Sequence, residues 1–158
     1  MTISHDRERM LAWLDAVESD YSRINEDRLA SDARRLRSMQ PGGIDMVVGA
    51  WLAARPSPAR VDIASVVLQA LWNPALGTPV LDPDVVATLL AAHGAATVTE
   101  ESDATFARAL VTAYEAGLPR VVGERVLDAL VDALRRPNAN PTIHPWIRRA
   151  LANAGRAV

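Results

Sequence analysis

Residues 82–94 read Asp82-Pro83-Asp84-Val85-Val86-Ala87-Thr88-Leu89-Leu90-Ala91-Ala92-His93-Gly94. The stretch holds a helix start, an apolar stripe and a stop. The Asp82 carboxylate can take the free amides of a first turn, and Pro83 suits the first helical position. Asp84 favours the positive end of the helix dipole. Val85, Val86, Leu89 and Leu90 form one apolar face. Gly94 reads as a left-handed terminator.

The same grammar extends in both directions. Upstream, Met10, Leu14, Val17, Tyr21 and Ile24 recur at steps of four and three, which predicts a helix over about residues 5–24. Asn25 then caps a second helix over 26–39, with Leu29, Leu36 and Met39; one long helix running through Asn25 is the alternative. Pro41-Gly42-Gly43 breaks the chain. Ile44, Val47, Val48, Trp51 and Leu52 mark a third helix, which ends at Arg55-Pro56-Ser57-Pro58. A fourth, over about 60–72, is apolar nearly all round and therefore reads as buried. Downstream of a loop and the opening stretch, Thr99 with Glu100 and Glu101 starts a sixth helix that Gly117 closes. Pro119 starts a seventh, stopped before Pro137. His144-Pro145 starts the last, which ends near Gly155. Aromatic residues are only 4% of the chain, and no apolar–polar alternation is sustained, so strands are not expected.

The expected fold is all-α, with about eight short helices paired as antiparallel hairpins over 5–39, 41–72, 83–116 and 119–156 in one domain, residues 1–158. Hairpin solenoids have units of about 34–47 residues, and these hairpins begin at comparable steps. Val47-Val48, Val85-Val86 and Val121-Val122 recur in the first helices. Residues 47–54, Val-Val-Gly-Ala-Trp-Leu-Ala-Ala, align with residues 85–92, Val-Val-Ala-Thr-Leu-Leu-Ala-Ala. Ala70-Leu71, Ala109-Leu110 and Ala150-Leu151 recur in the second helices, and Arg108 and Arg149 each precede the pair. In period and apolar pattern, residues 41–156 resemble HEAT or armadillo-type helical repeats, although their consensus residues are not clearly present. The resemblance implies a HEAT-like right-handed helical-repeat stack. A compact irregular helical bundle is the alternative.

Composition narrows the chemistry. The 158 residues are 49% hydrophobic with a net charge of −2, an ordinary globular balance for one domain. There is no Cys, which excludes disulfides, thiolate metal sites and cysteine nucleophiles. All 17 basic residues are Arg, so lysine chemistry is excluded as well. No apolar run is long enough for a membrane span, and the charged stretch from His5 to Arg9 is unlike a secretory signal. The expected location is the cytoplasm.

No metal-ligand spacing links His5, His93 and His144, and no nucleophile elbow or phosphate loop is present. The acids at helix starts read as caps. Glu124, Asp128 and Asp132 read as a solvated helix face, paired with Arg125, Arg135 and Arg136. Gly49 and Gly123, inside helices, suggest close helix approach. No catalytic, metal or cofactor-binding residue is expected, and no cofactor.

Arginine is the uneven feature. Residues 134–158 hold Arg135, Arg136, Arg148, Arg149 and Arg156 and no acid. Arg34, Arg35 and Arg37 form a smaller cluster. Trp51 and Trp72 lie on apolar helices and read as core. Trp13 lies beside its helix's stripe. Trp146 sits at an exposed-looking helix start. If Trp13 or Trp146 is exposed, it is the best interface anchor, because Trp and Arg dominate binding hot spots. The expected function is a non-enzymatic protein-interaction module. Its partner-binding residues would be Arg135, Arg136, Trp146, Arg148 and Arg149, and its partner another protein with an acidic surface. Binding of nucleic-acid backbone by the arginines is one alternative, although a pI near 5.9 argues against it. A ligand or catalytic site between helices is another, with His93 and Tyr114 as its polar groups. The bland reading of His93 is a core histidine satisfied by a backbone carbonyl.

Overall fold

The computed structural model describes residues 3–39, 43–96, 100–136 and 141–156. Among these residues the chain forms eight α-helices and three 3-10 turns, with no strand. The helices are α1 (Ile3–Ser19), α2 (Glu26–Met39), α3 (Ile44–Ala54), α4 (Pro58–Trp72), α5 (Pro83–Ala95), α6 (Glu100–Ala116), α7 (Arg120–Arg135) and α8 (His144–Asn153). Pro41-Gly42, Thr99 and Pro137, the expected breaker, cap and stop, lie outside the described residues.

Side-chain caps set several of the starts. Asn25 Oδ1 accepts the Arg28 N–H at 3.1 Å, Ser57 Oγ accepts the Arg60 N–H at 3.1 Å, and Asp82 Oδ1 accepts the Asp84 N–H at 2.9 Å. Gly117 ends α6 at φ +101, in the left-handed region that only glycine adopts cheaply. Gly94 does not end α5, which runs on to Ala95 and is capped by Ala96 with extended backbone. The first helix also differs from the expected 5–24. It stops at Ser19, and Tyr21–Arg23 form a 3-10 turn. Tyr21 and Ile24 still pack on the core from that turn, so their helical spacing outlasts the helix.

Helices two apart in the chain lie side by side. The odd-numbered helices α1, α3, α5 and α7 form one row of neighbours, and the even-numbered helices α2, α4, α6 and α8 another. The rows are stitched together by α3 with α4, α4 with α5, α6 with α7 and α7 with α8. Stacked hairpins require this neighbour pattern, and it is compatible with the HEAT-like arrangement. One apolar cluster runs between the rows, with Leu14, Leu52, Leu68, Trp72, Leu89, Phe106, Leu110, Leu130 and Ile147 fully or almost fully buried.

Burial tests the recurring dipeptides. Ala70-Leu71, Ala109-Leu110 and Ala150-Leu151 are buried at all three positions. The second valines of the Val-Val pairs, Val48 and Val86, are buried, and their counterpart Val122 is half-buried against the core. Of the first valines, Val85 is buried and Val47 half-buried, whereas Val121 is 75% exposed. The pair is thus less deeply buried in α7 than in α3 and α5.

Candidate interaction surface

The surface is built at the end of the helix rows, on α8. Ile147, Ala150 and Leu151 bury one side of this helix against α6 and α7, as its strong amphipathicity requires. The opposite side carries Pro145, Trp146, Arg148 and Arg149, all exposed, and Trp146 is 54% exposed. Trp146 and Arg149 are one turn apart and share a face. Arg135, at the last turn of α7, is exposed as well. Among the described residues, Arg135, Arg148 and Arg149 form no ion pair.

The other two C-terminal arginines are committed inside the molecule. Arg136 Nε donates to Asp103 Oδ2 at 2.8 Å. Its Nη2 is buried with no hydrogen-bond partner among the described residues. Arg156 pairs with Asp128 at 2.6 Å and with Glu124 at 2.5 Å. These two carboxylates hold the Arg156 guanidinium above its ordinary pKa. The partner of the Glu124–Asp128 face is thus Arg156, a residue outside α7, rather than the expected Arg125, Arg135 and Arg136. Of the five arginines that gave residues 134–158 their positive balance, three face solvent with no ion pair among the described residues, and two are paired with acids from α6 and α7. Arg136 is an internal contact rather than part of a free patch.

The smaller cluster divides in the same way. Arg34 and Arg35 are exposed, but Arg37 is buried. Its guanidinium donates to the carbonyls of Ala70, Asn73 and Thr78 at 3.0, 2.9 and 2.6 Å. It thereby caps the C-terminus of α4 and fastens the loop beyond it. Burial lowers the pKa of Arg37.

Trp51 and Trp72 are core, as expected. Trp13 is half-buried and lines a cavity of about 390 Å³ between α1 and α2, with Val17, Ile24 and Leu29. A second cavity, of about 190 Å³, opens across the even-numbered row and is lined from α2, α4 and α6.

His93 and Tyr114 line neither cavity. His93 stacks on Phe106 with ring centroids 3.7 Å apart, and its Nε2 lies 2.9 Å from Asp103 Oδ1. A carboxylate satisfies this histidine, in place of the expected backbone carbonyl. Asp103 thus joins α5, α6 and the residue after α7 through His93 and Arg136. Tyr114 packs beside Gly123. Among the described residues no group of three His, Asp or Glu is placed to hold a metal ion. No helix among them is long and apolar enough to cross a membrane.

Two buried charges escape the sequence reading. Arg60 on α4 lies 4.3 Å over the Trp51 ring and makes two bonds to the Glu18 carboxylate, at 2.8 and 3.0 Å. Asp45, on the first turn of α3, accepts the N–H groups of Asp82 at 2.6 Å and Met46 at 3.0 Å. Both join helices distant in sequence, and only that distant context distinguishes them from surface charges. Compared with protein-family models, curated proteins and solved structures, the chain matches none.

Proposed function

We propose that this protein is a non-enzymatic interaction module that binds another protein through the outer side of α8 and the end of α7. The observation that carries this reading is the exposed Trp146 one turn from Arg149, with Arg148 exposed on the same helix and neither arginine in an ion pair among the described residues. A large amphipathic ring flanked by planar cations is a combination enriched in binding hot spots. An acidic protein surface complements it. The arginines already committed to Asp103, Glu124 and Asp128 lower the free charge of this region. That favours a protein over a nucleic-acid backbone, whose affinity grows with the number of phosphates neutralised.

The test is affinity capture from a lysate of the source cells, with and without nuclease treatment, with wild-type protein and a Trp146→Ala/Arg148→Glu variant compared side by side. Specific proteins recovered by the wild type and lost by the variant support the reading. Equal recovery by both removes α8 from the interaction, and material that vanishes on nuclease treatment reassigns the surface to nucleic acid.

A further inference from the structure

We infer that the groove across α2, α4 and α6 is a second binding site, one that takes an extended acidic peptide segment. Arg34, Gln69, Asn73 and Arg108 line this cavity of about 190 Å³. The molecule uses Arg37, Arg60, Arg136 and Arg156 to satisfy its own carboxylates and carbonyls. Arg34 and Arg108 are left without an ion pair among the described residues, although both open onto the same groove. Two planar cations with unused donor forks suit carboxylates, which they can hold by paired hydrogen bonds. Between them, the Gln69 amide offers a donor and an acceptor to a peptide backbone, and Asn73, whose Oδ1 accepts the Ala75 N–H at 3.0 Å, offers its amide N–H donors.

The dimensions favour an extended chain. The lining runs across three neighbouring helices, from Arg34 of α2 past Gln69 of α4 to Arg108 of α6, so an occupant spans the row. Neighbouring helices lie about 8–10 Å apart, so α2 to α6 is roughly 16–20 Å, the reach of about five or six extended residues. Glu26 and Asp27 line the α2 end of the groove. Glu26 already has an interaction within the molecule. These two acids repel a carboxylate there, so the acidic side chains of the segment are directed to the Arg34–Arg108 part.

This site needs neither Trp146 nor Arg148, so it fails or stands apart from the α8 surface. The test is fluorescence anisotropy with a fluorescein-labelled peptide of about ten residues, alternating Glu and Ser, at about 50 mM salt. An Arg–Ser peptide and a single-stranded oligothymidylate serve as competitors. Saturable binding is expected, weakened at least about tenfold by Arg34→Glu or by Arg108→Glu and retained by Trp146→Ala/Arg148→Glu. Arg108→Gln, a milder change at a half-buried position, is expected to weaken it as well, with helical circular dichroism confirming that each variant is folded. Absence of saturable binding overturns the proposal, as does equal affinity in the Arg34 and Arg108 variants. Tighter competition by oligothymidylate than by unlabelled Glu–Ser peptide also overturns it, in favour of a polynucleotide.

Discussion

Arg60 is buried, which is rare for arginine unless it is paired. It donates to the Trp51 carbonyl at 2.6 Å and to Glu18, while Trp51 Nε1 donates to Asp15 at 2.9 Å. One side chain thus ties α1 to α3 and α4. Removing one partner of a buried pair leaves the other charge uncompensated, so Arg60→Ala is expected to destabilise the fold by about 3 kcal/mol in urea denaturation. A loss under about 1 kcal/mol would show that Glu18 simply rehydrates. Asp45 makes a second residue-scale case. Burial raises its pKa above the ordinary 3.8 and outweighs the two backbone N–H groups, which favour the charged form. The folded state therefore binds this proton more tightly than the unfolded chain does. The contribution to stability is fullest below 3.8 and is lost as pH rises through the higher folded value. The stability of wild type relative to Asp45→Asn should accordingly decline as pH is raised from below 3.8, and a difference independent of pH would contradict this. Neither residue was legible as buried. Periodicity sorts positions by polarity, so a charge whose partner lies in another helix reads as a surface charge.

At the scale of elements, the helix starts at Asn25 and Asp82 were the most legible feature, because each cap acts within three residues of where it sits, whereas Ser57, which caps α4, read only as part of the break that ends α3. Ends were less so. The stripe of Val17, Tyr21 and Ile24 runs past the true end of α1, because core packing demands apolar residues from a turn as well as from a helix. Tyr21 also donates its hydroxyl to Asp62 at 2.7 Å, a contact that spacing alone does not reveal. Gly49 was read as a close approach, and its neighbour is indeed Val85 of α5. A Cβ built at Gly49 would meet Val85 Cγ1 at 3.4 Å, an ordinary contact distance. Gly49→Ala should therefore raise stability by about 0.5–1 kcal/mol through helix propensity, whereas Gly49→Leu should lower it by forcing α3 from α5. Thermal melts of the two variants decide the matter, and destabilisation by alanine would mean that Val85 cannot yield. Arg37 links elements differently, through three carbonyls at the end of α4 and in the loop beyond it. Arg37→Ala should speed hydrogen exchange across residues 73–81 and lower stability by about 2–3 kcal/mol, the range for losing charged hydrogen bonds. Unchanged exchange in that loop would assign its order to packing alone.

Across the whole molecule, the paired helices followed from local spacing, but the charge distribution did not. Asp103 lies 33 residues from Arg136, and Glu124 and Asp128 lie 32 and 28 residues from Arg156. Counting charges along the chain merged these neutralised arginines with the free Arg135, Arg148 and Arg149, and only the packing of α6, α7 and α8 separates them. The groove of Arg34, Gln69 and Arg108 was equally hidden, since its residues come from three helices. The same packing sets how stability is spread. Among the described residues, α4 packs against α1, α2, α3, α5 and α6, whereas α8 packs chiefly against α6, α7 and the 3-10 turn Pro141–Ile143. In a stack of nearest-neighbour contacts, terminal units open below the global unfolding free energy. Native-state hydrogen exchange in low denaturant should therefore show α8 opening first and α4 exchanging only with global unfolding. Arg156 fastens the end of α8 to Glu124 and Asp128 on α7, so Arg156→Ala should lower the opening free energy of α8 while leaving α4 unchanged. Equal protection of α4 and α8 would mean that the molecule unfolds as one cooperative unit, and that the exposed surface of α8 is as rigid as the core beneath it.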